Sequence, residues 1–372
     1  MAKCVLITGG AGFIGSHVGD MLLRHGYRVR ALDSLAPQVH GADAERPDYL
    51  DPEIELIAGD VRDPVAVRGA LVGADAVIHL AAVVGVGQSM YEVARYCAVN
   101  DLGTAVLLEA LIERPVERLV VASSMSIYGE GLYRDASGRA VVDARRSIEQ
   151  LRRGAWELCD AARRPLVPAP TPESKTPTLT SVYALSKYDQ ERLCLMVGAS
   201  YGIPTMALRF FNVFGPRQAL SNPYTGVLAI FAARLLNGNA PMIFEDGLQQ
   251  RDFVSVYDVA EACRLALERP GGAGDVLNIG SGAPATVRDV AVRLAAVLGK
   301  RHLSPLITAK YRVGDIRHCY ADINAARRIL GYRPKITLQE GVMELAEWLA
   351  GQLANDRVPE ARRALEARGL VV

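Results

Sequence analysis

The chain has 372 residues, of which 50% are hydrophobic and 22% charged, and its formal net charge is +1. That length is ample for a large core and predicts two domains. The near-neutral charge lacks the basic excess that nucleic-acid binding leaves, so no nucleic-acid partner is expected. No apolar run approaches the ~18 residues of a membrane span, and the apolar stretch after Met1 is too short for a secretory signal core. None of the six cysteines (Cys4, Cys97, Cys159, Cys194, Cys263, Cys319) stands at C-x-x-C spacing, so no metal site is expected. Their scatter fits buried thiols in a reducing, cytoplasmic compartment.

In chain order, residues 4–8 form a continuous apolar run that ends in glycines, and 16–25 follow with helical spacing through Val18, Met21 and Leu22. Strand-like runs recur at 28–32, 54–58, 76–80, 119–122 and 205–208, with helical patterns clearest at 100–112 and 186–200. Apolar strands separated by crossover helices predict an α/β fold with a doubly wound parallel sheet. Residues 131–177 break the alternation. They are rich in Arg and Ala and then in proline (Pro165, Pro168, Pro170, Pro172, Pro177). They read as an insertion with one helix at 145–156 and an extended arm, either a functional loop or a surface decoration. Beyond Pro216, helices are expected at 228–236, 256–268 and 287–298, with surface-exposed helices at 338–352 and 360–368. The division expected is a cofactor-binding domain over 1–215 and a smaller C-terminal substrate-binding domain over 216–372, with part of 250–280 packing back on the first.

The turn after the first strand reads Gly9-Gly-Ala-Gly-Phe-Ile-Gly15. Glycine permits the tight turn and the close approach of a pyrophosphate, and the helix that follows offers its free N–H groups. Asp33 ends the second strand, 18 residues after Gly15. A carboxylate there accepts ribose hydroxyls and repels a 2′-phosphate, which favours NAD over NADP. Gly9, Gly12, Phe13, Ile14, Gly15, Asp33 and Ser34 are therefore candidate cofactor contacts. Asp60 and Val61, after the third strand, are candidates for adenine.

Tyr183 and Lys187 lie four residues apart on a helix and share a face, and Ser123 and Ser124 end a strand at the crevice side of the sheet. Tyrosine titrates near ~10. A neighbouring ammonium favours its phenolate, which suits it to take a proton from an alcohol as hydride leaves the same carbon.

These segments together resemble the NAD-dependent nucleotide-sugar epimerase/dehydratase family of extended short-chain dehydrogenases/reductases. The resemblance runs through 8–15, 79–82 (HLAA), 123–129 (SSMSIYG), 183–187, 209–216 (RFFNVFGP), 251–258 (RDFVSVYD), 278–280 and 314–315. It implies a Rossmann domain, a C-terminal nucleotide-sugar domain and a homodimer built through a four-helix bundle. It implies catalytic roles for Ser124, Tyr183 and Lys187, and an NAD pocket that also takes in Leu80, Ala81, Ala82, Asn100, Ser123 and Phe210. Asn212, Arg251 and Arg312 then hold the substrate diphosphate, Val227 and Phe244 approach the base, and Asp315 serves a ribose or supports the site.

In the dehydratase branch the catalytic hydroxyl residue is followed by Asp-Glu, whereas Ser124 is followed by Met125 and Ser126. The resemblance therefore implies a 4-epimerase. The insert, with 222–226 and 244–251, is similar to sequences of the dTDP-L-rhamnose 4-epimerase group, which implies dTDP-L-rhamnose or a UDP-hexose as substrate. Uronic-acid decarboxylase, other epimerase or reductase activity, and a non-catalytic NAD-binding regulator are the alternatives. Cys319 stands where some hexose 4-epimerases carry Tyr, which predicts room for a larger sugar substituent.

Overall fold

The computed structural model describes residues 2–42, 45–141, 144–352 and 354–371. Its first part runs β1 (Cys4–Thr8), α1 (Phe13–Arg24), β2 (Arg28–Asp33), β3 (Glu55–Ala58), α2 (Pro64–Ala70), β4 (Ala76–His79), α3 (Gly103–Glu113), β5 (Arg118–Ser124), α4 (Val182–Tyr201) and β6 (Thr205–Phe210). The second runs α5 (Val227–Leu236), α6 (Val256–Glu268), β7 (Val276–Ile279), α7 (Val287–Val297), α8 (Leu338–Leu349) and α9 (Val358–Glu366). β1, β4, β5 and β6 are buried at every position, as strands covered on both faces must be.

The strands form a seven-stranded sheet in the order β7-β6-β5-β4-β1-β2-β3, with every pair parallel. Strand order reverses between β1 and β4, and a doubly wound α/β sheet opens its ligand crevice at such a point. Side chains alternate between two apolar layers. Val5 and Ile7 pack with Val18, Leu22, Val259 and Cys263 on one face, while Leu6 packs with Val77, Leu107, Leu111 and Cys194 on the other. A third cluster joins Phe231, Phe253, Leu294, Val342, Leu345 and Leu349. α8 is thus half-buried, not the surface helix expected, because its apolar stripe has the C-terminal layer to cover.

Two further expectations change. The helix expected from residue 100 opens as a π-helix, Cys97–Leu102, before α3; such wide turns redirect side chains, and Asn100 is fully buried here. The insert is a three-stranded antiparallel sheet, Leu132–Arg134 flanked by Ala140–Val141 and Val167–Ala169, rather than an extended arm. Its helix spans only Ile148–Arg152, and Gly154 at φ 68° turns the chain away. Tyr133, Leu158 and Leu166 give the insert a small core.

The insert is fastened by charge. Arg317 is fully buried and donates to Glu157 of the insert and to Glu245 and Asp246. Arg146 bridges Glu245 at 2.6 Å and the Asp315 carbonyl at 3.1 Å. Two paired cations shared among several carboxylates can remain charged out of water, which a lone buried arginine could not do cheaply. No described helix is long and apolar enough to cross a membrane.

Candidate active site

The carboxyl ends of the strands open into one cavity of about 930 Å³. Its borders include Gly9, Gly12, Phe13, Ile14 and Gly15 from the first turn, and Asp33, Ser34, Asp60 and Val61 from the next strand ends. They include Leu80, Ala81, Ala82, Ser123, Ser124, Tyr183, Lys187 and Phe210 at the centre, and Asn212, Val227, Phe244, Arg251, Arg312 and Asp315 on the far side.

Three of the glycines are demanded by space or backbone. Gly9 has φ 70°, and a Cβ on Gly15 would meet the Gly9 carbonyl oxygen at 2.2 Å. A Cβ on Gly10 would meet that of Ala31 at 2.6 Å. Gly12 caps the start of α1 without a side chain, so the N–H groups of the helix's first turn are free for an anion. Asp33 is held by the N–H groups of Ala11 at 3.0 Å and Leu35 at 2.9 Å. A bare helix start that donates, beside a held carboxylate that accepts, is the pairing a dinucleotide requires, and the residues present fit NAD. His40, which also borders the cavity, lies 3.8 Å from Asp33.

At the centre, β5 delivers Ser124. Its oxygen accepts from the Ser126 amide at 3.1 Å and the Ser126 hydroxyl at 2.9 Å, so its own proton is free to point onward. α4 is capped by Ser181, whose oxygen accepts from Ala184 N–H at 3.1 Å; this sets Tyr183 on the helix's first turn. Burial raises the Tyr183 phenol, and the Ser124 hydroxyl pulls it the other way. Lys187 is 4% exposed and donates to Gln190 Oε1 at 2.6 Å. Burial lowers its ammonium to about 8, against the weaker raising pull of Cys194 and Glu191.

A polar lattice missed by sequence reasoning braces this centre from behind. His79 contacts Thr8 Oγ1 at 2.7 Å and Thr104 Oγ1 at 2.9 Å, and Gln190 Nε2 donates to Thr104 Oγ1 at 2.8 Å. Ser123 turns its hydroxyl to Glu191 at 2.6 Å. Asn100 does not border the cavity, contrary to expectation: it is a buried brace that accepts from Val83 N–H at 2.7 Å and donates to Ser186 Oγ at 2.9 Å. The HLAA motif hinted at His79, but Thr8, Thr104 and Gln190 carry no local signal.

Burial lowers His79 to about 3 and His17 to about 4, each from 6.5. Between those values and 6.5 the unfolded chain binds more protons than the folded one, so stability decreases as pH is lowered through this window and levels off below it. Each group contributes up to about 1.4 kcal/mol per pH unit. Urea unfolding at a series of pH values should show that slope, and His79→Gln should reduce it; identical slopes would remove His79 as a cause.

On the far side, Arg312 donates to Asp315 at 2.7 Å and lies 5.9 Å from the Phe244 ring centre. Its Nε, with Asn212 Oδ1, Gln218 Oε1 and Gln249 Oε1, is buried and has no partner among the described residues. Gln218 and Gln249 border the cavity and were not foreseen. Arg251 spends much of its fork on the carbonyls of Gln250, Ile316 and Arg317, at 2.6–2.9 Å, and so fastens the wall. Cys319 is buried outside the cavity border, with Sγ 3.8 Å from Thr171 Oγ1, so the widening expected from it is not seen.

The family model described as NAD dependent epimerase/dehydratase family matches residues 5–147 and 154–280. The chain is 36% identical to dTDP-L-rhamnose 4-epimerase of Burkholderia thailandensis, over 94% of this chain and 96% of that one. Among solved structures it resembles the UDP-glucose 4-epimerase of Thermus thermophilus in complex with NAD, at 32% identity and TM-score 0.74, over 94% of this chain and all of that one. It also resembles that of Thermotoga maritima with UDP-glucose, at 30% identity and TM-score 0.75, over 94% of this chain and 99% of that one. The chain belongs to the NAD dependent epimerase/dehydratase family, and NAD is its cofactor.

Proposed function

We propose that this enzyme is a nucleotide-sugar 4-epimerase, with dTDP-L-rhamnose as first candidate substrate and a UDP-hexose as second. The observation that carries the reading is the meeting of Ser124, Tyr183 and Lys187 in one cavity with both the glycine turn and Arg312. The candidate substrates follow from the Burkholderia and Thermotoga relatives. Residues 1–215 serve the cofactor in this reading and 216–372 the nucleotide sugar, except that α6 and β7, within 250–280, belong with the central sheet of the first part.

NAD, when bound, supplies reversible hydride acceptance at the sugar carbon. Tyr183 takes the proton of the 4-hydroxyl and later returns it. The free Ser124 proton steadies the same oxygen as its charge changes. Lys187, a buried cation, favours the phenolate. Arg312 holds the diphosphate through its free Nε–H and Asn212 through its side-chain N–H groups, which leaves the sugar free to turn while its tether stays fixed. Met125 and Ser126 offer no carboxylate beside Ser124, so water elimination lacks its acid.

Purified protein incubated with dTDP-, UDP- and GDP-sugars should yield a C4 epimer by NMR with no net change in NADH. A product altered at another carbon, or stoichiometric consumption of NADH, would overturn the reading. A homodimer accords with the exposed Leu102 ahead of α3 and the exposed Leu185 and Met196 on α4. Light scattering on the same preparation should give twice the chain mass, and a monomer would remove that part.

A further inference from the structure

The end of the chain supplies a wall of the cavity that its sequence does not advertise. α9 borders the cavity with Val358, Ala361, Arg362 and Leu365. A Cβ placed on Gly87, in the short helix Val86–Ser89 after β4, would meet Leu365 methyls at 3.3 and 3.5 Å and Arg312 Cδ at 3.6 Å, so three distant segments converge there. The chain then runs back along Arg312. Arg312 and Val371 form an antiparallel bridge, and Val313 N–H donates to the Leu370 carbonyl at 2.9 Å.

The charges on this wall do not cancel. Lys310 and Arg362 both donate to Glu366 Oε1, at 2.9 and 2.8 Å, which leaves one positive charge in excess. Arg368 lies over the Tyr91 ring at 4.4 Å, and the Tyr91 hydroxyl is 2.6 Å from that of Tyr224 on the cavity border. Arg312 meanwhile retains a buried Nε without a partner among the described residues. A cationic wall around a guanidinium with a free Nε–H suits a dianionic group, and guanidinium forks bind phosphate oxygens with charge-assisted bonds.

We propose that α9 is part of the substrate site: it holds Arg312 in place and adds Arg362 as a second guanidinium for the diphosphate. This rests on the nucleotide-sugar reading above. α9 lies outside the three apolar clusters of the core, and a chain ending at Asp356 keeps the 3.0 Å ion pair of Asp356 with Arg234, so the truncated chain should fold.

Calorimetric titration of the NAD-loaded protein with UDP and with dTDP tests this without requiring turnover. Truncation after Asp356 should weaken the better-bound nucleotide by about tenfold or more and leave NAD content unchanged. Arg362→Ala should weaken it several-fold, and Arg362→Lys should recover most of the loss. If the wild-type chain binds neither nucleotide, the nucleotide-sugar reading fails and this proposal with it. If it binds one, and a truncated chain full of NAD binds that one equally well, the role of α9 alone is overturned. Should truncation displace NAD, the Arg362 pair decides, and equal affinities in wild type, Ala and Lys would overturn the proposal.

Discussion

Tyr183→Phe is expected to keep its NAD and lose turnover by about two to four orders of magnitude, the usual range for removing a general acid–base group. The substitution deletes one oxygen and retains the ring, so the edge contact with Tyr96, 6.4 Å between ring centres, survives. Nothing in the glycine turn depends on the phenol, and cofactor content measured after denaturation should match wild type. What disappears is the phenol beside Ser124 to which the four-residue spacing on α4 also brings Lys187. Ser124→Ala should fall less, because it removes a donor to the reacting oxygen and leaves the base. Product formation within a few-fold of wild type in Tyr183→Phe would end the assignment of Tyr183 as the base.

Gly15→Ala should yield a protein largely free of NAD. Its new methyl would stand 2.2 Å from the Gly9 oxygen and 2.7 Å from Gly10 Cα. Both are backbone atoms of the turn itself, so relief requires the loop to move rather than a side chain to rotate. Overpacking of this kind costs about 1–3 kcal/mol, and the displaced turn withdraws the N–H groups that would face a pyrophosphate. Gly12→Ala is the informative contrast, since its nearest neighbour is the Gly9 oxygen at 3.3 Å. Absorbance of released cofactor and the thermal midpoint would register both effects. Full NAD occupancy in Gly15→Ala would show that the turn is not the cofactor cradle.

The central strands were legible because burial on both faces writes an unbroken apolar run, and the glycine turn because its geometry tolerates few substitutes. Tyr183 and Lys187 were legible because helical spacing alone brings them to one face. The NAD role of Asn100 came from the resemblance rather than from any local pattern; its side chain, set by a π turn, braces Val83 behind the wall. Arg251 shows that a residue type suited to phosphate can equally serve carbonyls. Gln218, Gln249 and Arg362 escaped notice because their meaning lies in a cavity assembled from far-separated segments. The shortened insert helix follows from Ser147 and Gly154, a local start and stop that proline counting overlooked.

The buried cluster around Arg317 constrains how this chain can drift. Glu157 comes from the insert, while Glu245, Asp246 and Arg317 come from segments much later in the chain. Exchange of one carboxylate for a neutral residue leaves a guanidinium that water cannot reach with fewer acceptors, whereas joint replacement by apolar residues of similar volume is tolerable. A change at any one of these four positions therefore disturbs the other three, which couples the insert to the turn after Phe244 despite their distance in sequence.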